Sequence, residues 1–600
     1  MKDATVPTPA ALSLAGAAAG LAFHHLYTRH VEIDFILVPI FLVFGAVCFL
    51  ALYFGVSWLH LPATTVWYYL FVFTGTFALN TTASILLYRA HFHRLKHIPG
   101  PYLARLSTFW TARKASGDYR FHVRLQELHA KYGDVVRIGP RIVSLARADA
   151  LLQTSALGKS TFWAHVETED RKKSFAMSRD PDDHRVRRRP WEIAFSPKHL
   201  SKHDGAVQDA IGLFIDRLTP DQDSAAAAAR VVDITDAVSP LTFDVTGIIG
   251  FGHSFGATAR ERDGPHPALA ALRKAHAVLG SLRFVPWLLS LLLKIPGGGG
   301  DFAPFLKLCE GVMNEHRAER RERQKLEKTG KEDPVEEEEA NLDEEIRGQE
   351  GRGGNPKPVI AFVLDALERG DPSAAPTPEA LADESRSMIA AGADTTQSAM
   401  TNMLGFVAAR GDVQRRLQGL VDAAFPHGPS SFTYAGLLAA TETMGWIDAI
   451  IHETLRIQPS APSANPRVTP RHQGLEIGES VFGPRIWIPA DVEVLQSPYV
   501  IHRDPRWFAR PDKFLPERWL PGSSIKCDRA AYFPFHLGKH ACIGKPMAME
   551  EMRSVLARLA LQFDMNLAPG QDWEEHQAKI MDHFTMSLPK LYLTFKERGV

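Results

Sequence analysis

Apolar residues are unevenly distributed along the chain: they fill its first hundred positions as unbroken runs and beyond that recur at helical spacing. Phe35 to Val56 and Leu61 to Leu87 contain no Asp, Glu, Lys or Arg. About 20 such residues suffice to cross a bilayer as a helix. Pro7 to Phe23 is a third, Ala- and Gly-rich run. As a signal peptide it has a thin basic region, Lys2 beside Asp3, and further apolar runs follow it. Residues 1–96 therefore predict a membrane region with two or three transmembrane helices. Arg29 follows the first run, Arg89, Arg94 and Lys96 follow the last, and no Lys or Arg separates the second from the third. By the positive-inside rule the large C-terminal part then faces the cytosol.

His97-Ile98-Pro99-Gly100-Pro101 must end the last of these helices, because proline fixes φ and glycine permits a sharp turn. Residues 97–101 read as a hinge. From 102 to 600 the pattern is one body without internal repeats. Helical spacing runs through Pro378–Ala409 (Met388, Ile389, Met400, Met403, Leu404, Val407) and Lys545–Phe563 (Met552, Val555, Leu556, Leu559, Phe563). Strand-like pieces are short, as in Val135–Ile138 and Arg141–Leu145. The class predicted is mainly α with small β-sheets. Residues 325–357, with Glu336 to Glu339 and Gly351-Arg352-Gly353-Gly354, are charged and poor in apolar side chains, which predicts a disordered surface insertion.

Composition narrows the class. Lys plus Arg and Asp plus Glu both number 68 in 600 residues, so no charge excess points to nucleic acid. The four cysteines, Cys48, Cys309, Cys527 and Cys542, lack paired spacing, which argues against a disulfide framework or a zinc site and for a reducing compartment. Three read as plain thiols.

Cys542 differs. In Phe535-His536-Leu537-Gly538-Lys539-His540-Ala541-Cys542-Ile543-Gly544 it lies between glycines, just ahead of the helical Lys545–Phe563 stretch, with Pro546 suited to the first turn. Small neighbours let the backbone bend tightly and offer N–H groups to a sulfur. A helix N-terminus lowers a thiol's pKa and favours the metal-ligating anion.

Two further runs carry chemistry. Ala391-Gly392-Ala393-Asp394-Thr395-Thr396 interrupts an apolar helix with polar groups; small Ala391 and Gly392 let a flat cofactor approach, and Thr395 can bond back to a preceding carbonyl. Glu453-Thr454-Leu455-Arg456 sets carboxylate and guanidinium on one helix face.

In this order, and together with His184-Arg185-Val186-Arg187-Arg188, His502-Arg503-Asp504-Pro505 and Phe514-Leu515-Pro516-Glu517-Arg518-Trp519, these runs resemble the motifs of the cytochrome P-450 superfamily, haem-thiolate monooxygenases, and its microsomal fungal members in particular. The chain departs from the family pattern at His540 (usually Arg), His184 (usually Trp) and Trp519 (usually Phe). The resemblance implies a cytochrome P-450 fold over 102–600 behind the N-terminal transmembrane helices. It implies haem b with Cys542 as axial ligand of the iron, in a loop shaped by Phe535, Gly538, His540 and Gly544. His184, Arg188, Arg467 and His540 would hold the haem propionates. Asp394 would relay protons and Thr395 would hold dioxygen and a water. Glu453, Arg456 and Arg518 would form a structural lock behind the loop.

The implied activity is insertion of one oxygen atom from O2 into a lipophilic small molecule in fungal secondary or lipid metabolism, at the endoplasmic reticulum membrane. Electrons would come from a separate NADPH-cytochrome reductase or a cytochrome b-type donor. Arg185, Arg187 and Arg189 are expected to face water, where they can dock such an acidic donor. Alternatives are a membrane-tethered haem-binding module that does not oxygenate, and a haem-thiolate isomerase or peroxide-using relative. Phe162, Trp163, Met388 and Ala461 to Ala464 are candidate substrate contacts by position.

Overall fold

A computed structural model describes residues 8–30, 37–164, 172–219, 229–259, 267–294, 303–329, 356–464, 466–481 and 483–598. Residues 330–355 of the charged stretch lie outside these, while Lys325 to Thr329 continue a helix, Ala303–Thr329.

Two N-terminal helical segments, Pro39–Ser57 and Ala63–Phe92, are long and apolar enough to cross a membrane, and few of their residues are buried. Before them, helix Pro9–Ala22 runs into a π-turn, Phe23–Thr28, and packs along the Ala63–Leu87 helix. Gly16 and Gly20, one turn apart, make that contact possible. A Cβ on Gly16 would collide with Thr76 Oγ1, and one on Gly20 would lie 2.6 Å from the Phe77 carbonyl. Thr81 Oγ1 donates to the Gly20 carbonyl at 3.2 Å. Small residues at such spacing are how apolar helices approach where water drives nothing together.

The Pro-Gly-Pro segment is tied to the body. Arg137 N donates to the Pro99 carbonyl at 2.7 Å, and a Cβ on Gly100 would collide with the Arg137 carbonyl. The buried Arg137 guanidinium spans the junction, donating to the carbonyls of Gly139, Pro140 and, at 3.4 Å, Arg89.

The body is mostly helical with small sheets. Its axis is the 32-residue helix Pro378–Ala409, capped by the Thr377 hydroxyl with Pro378 in its first turn. This central helix packs against Ile234–Phe251, Thr441–Ile457 and Lys545–Gln562, and the main hydrophobic core fills the space between them. A five-stranded sheet flanks them, in the order Val135–Arg137, Ile142–Leu145, Glu493–Leu495, Arg467–Val468, Gly158–Lys159. Its fourth strand carries Arg467 into the interior. A two-stranded hairpin, Met581–His583 with Thr585–Ser587, turns at Phe584 (φ 84°) and reaches back to the central helix.

Candidate functional site

The loop before helix Lys545–Gln562 folds onto itself. Cys542 N donates to the Phe535 carbonyl at 2.8 Å and Ala541 N to that of Gly538 at 3.0 Å. Gly538 adopts φ 65°, where a side chain would be strained, and a Cβ there would crowd Ser155 Oγ at 3.2 Å. The helix starts at Lys545 behind its N-cap Gly544, with Pro546 in the first turn, so Cys542 sits at a helix N-terminus. Cys542 is open to solvent on one side and ringed by protein on the others. Burial pushes its thiol up, against the pull of the Gly544 and Lys545 N–H groups and the Arg188 and Lys545 charges. The helix terminus alone predicts the opposite direction; desolvation outweighs it here. A coordinating metal deprotonates a thiol outright.

Beside the loop lies a cluster of cations. The His184 and His540 rings stand 4.9 Å apart, and Lys159, Arg188, Arg467 and Lys539 act on one or both. Burial first, and these charges next, push His184 down to about 3 and His540 down further, so both rings are neutral at physiological pH. Arg467 is buried and held down to about 10 by that burial, with its guanidinium 5.7 Å over Trp163. Its Nη1 and both His540 ring nitrogens are buried with no hydrogen-bond partner among the described residues. Neutral His540 carries one N–H; that donor and Arg467 Nη1 are costly to bury without acceptors, and anionic carboxylates are the complement they lack. The two propionates of a haem fit.

Of the basic helix Pro181–Arg187, His184 and Arg188 reach this cluster, and Arg188 Nε also donates to Glu192 at 2.8 Å. Arg185 and Arg189 are exposed. Arg187 does not face water. It is 2% exposed and pairs with the equally buried Glu384 of the central helix at 2.7 Å. A run of arginines hides this distinction, because helical rotation and the acid waiting on another helix decide which one turns inward. Burial pushes Glu384 up to about 7, against the pull of Arg187 and the Phe175 N–H.

On the central helix Thr395 Oγ1 donates to the Ala391 carbonyl at 2.7 Å, while its own carbonyl accepts from Ser398 and Ser460 hydroxyls at 2.9 and 2.8 Å. This back-bonding loosens the helix locally. Ala391 is the exposed small residue. Gly392 instead admits the neighbouring helix, since a Cβ there would lie 2.7 Å from Thr246 Oγ1. Met388, expected from its position to touch substrate, is core: its Cε lies 2.5 Å from where a Gly250 Cβ would be. Phe162 is buried with its ring tilted against that of Phe584, centroids 5.4 Å apart, and Trp163 Nε1 donates to the Pro466 carbonyl.

Asp394 has partners that no sequence motif marks. His276 Nδ1, on helix Pro267–Leu282, lies 3.0 Å from its Oδ2, and Thr585 of the hairpin donates to the same oxygen. Burial raises Asp394, but these two hydrogen bonds and the His276 and Arg273 charges outweigh it and hold the carboxyl below its ordinary value. No local spacing signals this triad.

Behind the loop, Glu453, Arg456 and Arg518 meet in full burial. Arg456 forks onto the Glu453 carboxylate at 2.8 and 2.9 Å, and Arg518 Nε adds a bond at 3.0 Å. Trp519 Nε1 donates to Glu453 Oε2 at 3.0 Å and Leu515 N to Oε1 at 2.9 Å. Trp519, where the family pattern has Phe, thus supplies a donor that phenylalanine lacks. Arg456 also donates to the His502 carbonyl at 2.8 Å, and His502 Nε2 accepts from Phe533 N at 3.0 Å. Burial and two arginines keep His502 neutral, hence an acceptor. A continuous chain of bonds joins Glu453 to the segment leading into the cysteine loop.

The Cytochrome P450 family model matches residues 99–595, from the Pro-Gly-Pro segment into the last strand. Cytochrome P450 monooxygenase FCK2 of Fusarium pseudograminearum is 27% identical over 529 residues, covering 88% of this chain and 86% of its own. Cytochrome P450 monooxygenase phqL of Penicillium fellutanum is 28% identical over 596 residues, 97% of this chain and 94% of its own. Tryprostatin B 6-hydroxylase of Aspergillus fumigatus is 26% identical, covering 87% and 84%. With a match this long laid over an open cysteine at a helix start and donors awaiting carboxylates, the chain belongs to the cytochrome P450 family of haem-iron monooxygenases.

Proposed function

We propose that the chain hydroxylates a lipophilic small molecule of fungal secondary or lipid metabolism, using O2 and single electrons from a separate NADPH-dependent reductase. The observation that carries this is the open thiol of Cys542 at a helix start beside the partnerless donors of His540 and Arg467. The relative named for 6-hydroxylation of tryprostatin B supports hydroxylation as the reaction type. Haem b, when bound, supplies electron transfer and O2 activation, which a proximal thiolate favours.

In this reading Cys542 ligates the iron, and Phe535, Gly538 and Gly544 shape the loop that presents it. His184, His540, Arg188 and Arg467 hold the propionates. Thr395 would hold and orient a water in the site, and Asp394, steered by His276 and Thr585, would pass protons toward that water from the protein surface. Glu453, Arg456 and Arg518 keep the loop in place from behind. Residues 1–96 anchor the protein in the endoplasmic reticulum membrane, 97–101 join anchor to body, and 102–600 form a cytosolic catalytic domain. Clustering of Arg29, Arg89 and Arg94 at one end of the helices supports that orientation.

Reduced protein under carbon monoxide should give the red-shifted absorption of a thiolate-bound haem, and Cys542→Ser should abolish it. A spectrum that survives Cys542→Ser rejects the ligand assignment. Lipophilic compounds that shift the haem spin state then identify the substrate class.

A further inference from the structure

A cleft of about 310 Å³ opens where the N-terminal helices meet the body. Its walls come from three places far apart in sequence: Arg29 after the first helix, Tyr88 and Arg89 at the end of the third, and Arg94, Arg141 and Asp491 of the junction and body. Four arginines therefore line the cleft together with one carboxylate. Asp491 is already engaged, accepting from Arg141 Nη2 at 2.6 Å with Arg94 Nη2 at 3.7 Å. Arg89 Nη1 donates to the Leu106 carbonyl at 2.7 Å, and Arg29 stacks over the Tyr88 ring at 4.6 Å. Arg94 is held below its ordinary value by burial, and Arg141 and Arg29 push the same way against Asp491. With four cations lining it and one anion, the cleft is net positive.

Position names the ligand class. The cleft lies at the end of a helix suited to cross a bilayer, Ala63–Phe92, and Leu86, Leu87 and Phe92 expose apolar side chains beside it. Basic pockets between membrane helices on the cytosolic side take anionic headgroups, the acyl chains lying along the apolar helix faces. A free phosphate would use the arginines but not these neighbours, and a choline headgroup would bring another cation into a cationic cleft. We propose that this cleft binds the phosphate of an anionic phospholipid and so fixes the catalytic body against the membrane surface. The site rests on the anchoring stated above.

Full-length haem-loaded protein is reconstituted in bilayer discs of phosphatidylcholine with phosphatidic acid, extracted in detergent, and its retained lipid measured by native mass spectrometry. The wild type should retain phosphatidic acid in several-fold preference to phosphatidylcholine. Arg29→Gln should lower that preference about fivefold, the effect of one basic residue near an anionic surface, and Arg29→Lys should restore most of it. Equal retention of the two lipids by wild type, or an unchanged preference in Arg29→Gln, overturns the site. So does displacement of the lipid by equimolar inorganic phosphate, which would mark a free-anion site. Flotation with phosphatidylcholine vesicles after carbonate wash is scored in parallel: protein that floats without lipid preference sinks the site alone, whereas protein that does not float sinks the anchor and the site with it.

Discussion

The imidazoles of His184 and His540 lie 4.9 Å apart, although 184 is on a helix and 540 in the cysteine loop. Both are positions where this chain departs from the family's motifs, so the two departures form one contact. Neutral rings replace an indole and a guanidinium, and they do so where Lys159, Arg188 and Arg467 already supply charge. A further full cation there would be repelled.

Removing either ring should weaken haem retention without abolishing it. His184→Ala and His540→Ala are each expected to speed haem loss to an acceptor globin by roughly 5- to 50-fold, the range for a lost buried hydrogen bond. Because the rings touch, the double variant should lose less than the two effects combined. Strict additivity would show that they do not act on one group.

The lock behind the loop should behave asymmetrically. Glu453→Gln leaves Arg456 and Arg518 buried without a counter-charge and should destabilise the body by about 3–5 kcal/mol. Trp519→Phe removes one of several donors to the same carboxylate and should cost only about 1 kcal/mol. Denaturant midpoints of the two variants test the contrast, and equal losses would reject it.

At the central helix, Thr395→Ala should leave the carbon monoxide spectrum intact while diverting reducing equivalents to peroxide. His276→Ala should do the same more weakly by freeing Asp394 to rotate. His276→Asn keeps a donor near the Nδ1 position and should recover much of the coupling, which a merely structural role for His276 would not predict. Coupling is read as product formed per NADPH consumed.

Stability should fall with acid in two stages. His122, His452 and His576 are pushed down to about 4 by burial, from 6.5. Between those values the unfolded chain binds protons that the folded chain refuses, so each contributes stability that is lost as pH falls from 6.5 toward 4, by up to about 1.4 kcal/mol per pH unit. Asp394 and Asp582 are held below 3.8 by their partners despite burial, so their contribution holds above 3.8 and is lost as pH falls through their folded values. His576→Phe preserves the stack on Trp573 and should flatten the upper stage in pH-dependent denaturant melts.

Residues whose chemistry is written in their immediate neighbours are legible in the sequence itself. Glycine flanks and a following helix single out Cys542, three-residue spacing puts Glu453 and Arg456 on one face, and uncharged runs mark the helices suited to a bilayer. Backbone geometry over a few residues fixes these relations, so the sequence contains them. Its reach ends where partners are remote. Asp394 meets His276 and Thr585 across 118 and 191 residues, and Arg187 rather than its neighbours turns inward because Glu384 waits on another helix. Direct competition between opposing effects is equally hidden: a helix start lowers the Cys542 thiol and burial raises it, and only the packed surroundings decide which is larger. Burial and remote pairing are properties of elements packed together, which is why the sequence by itself determined the fold class and the motif residues, and the tertiary structure decided the electrostatics around them.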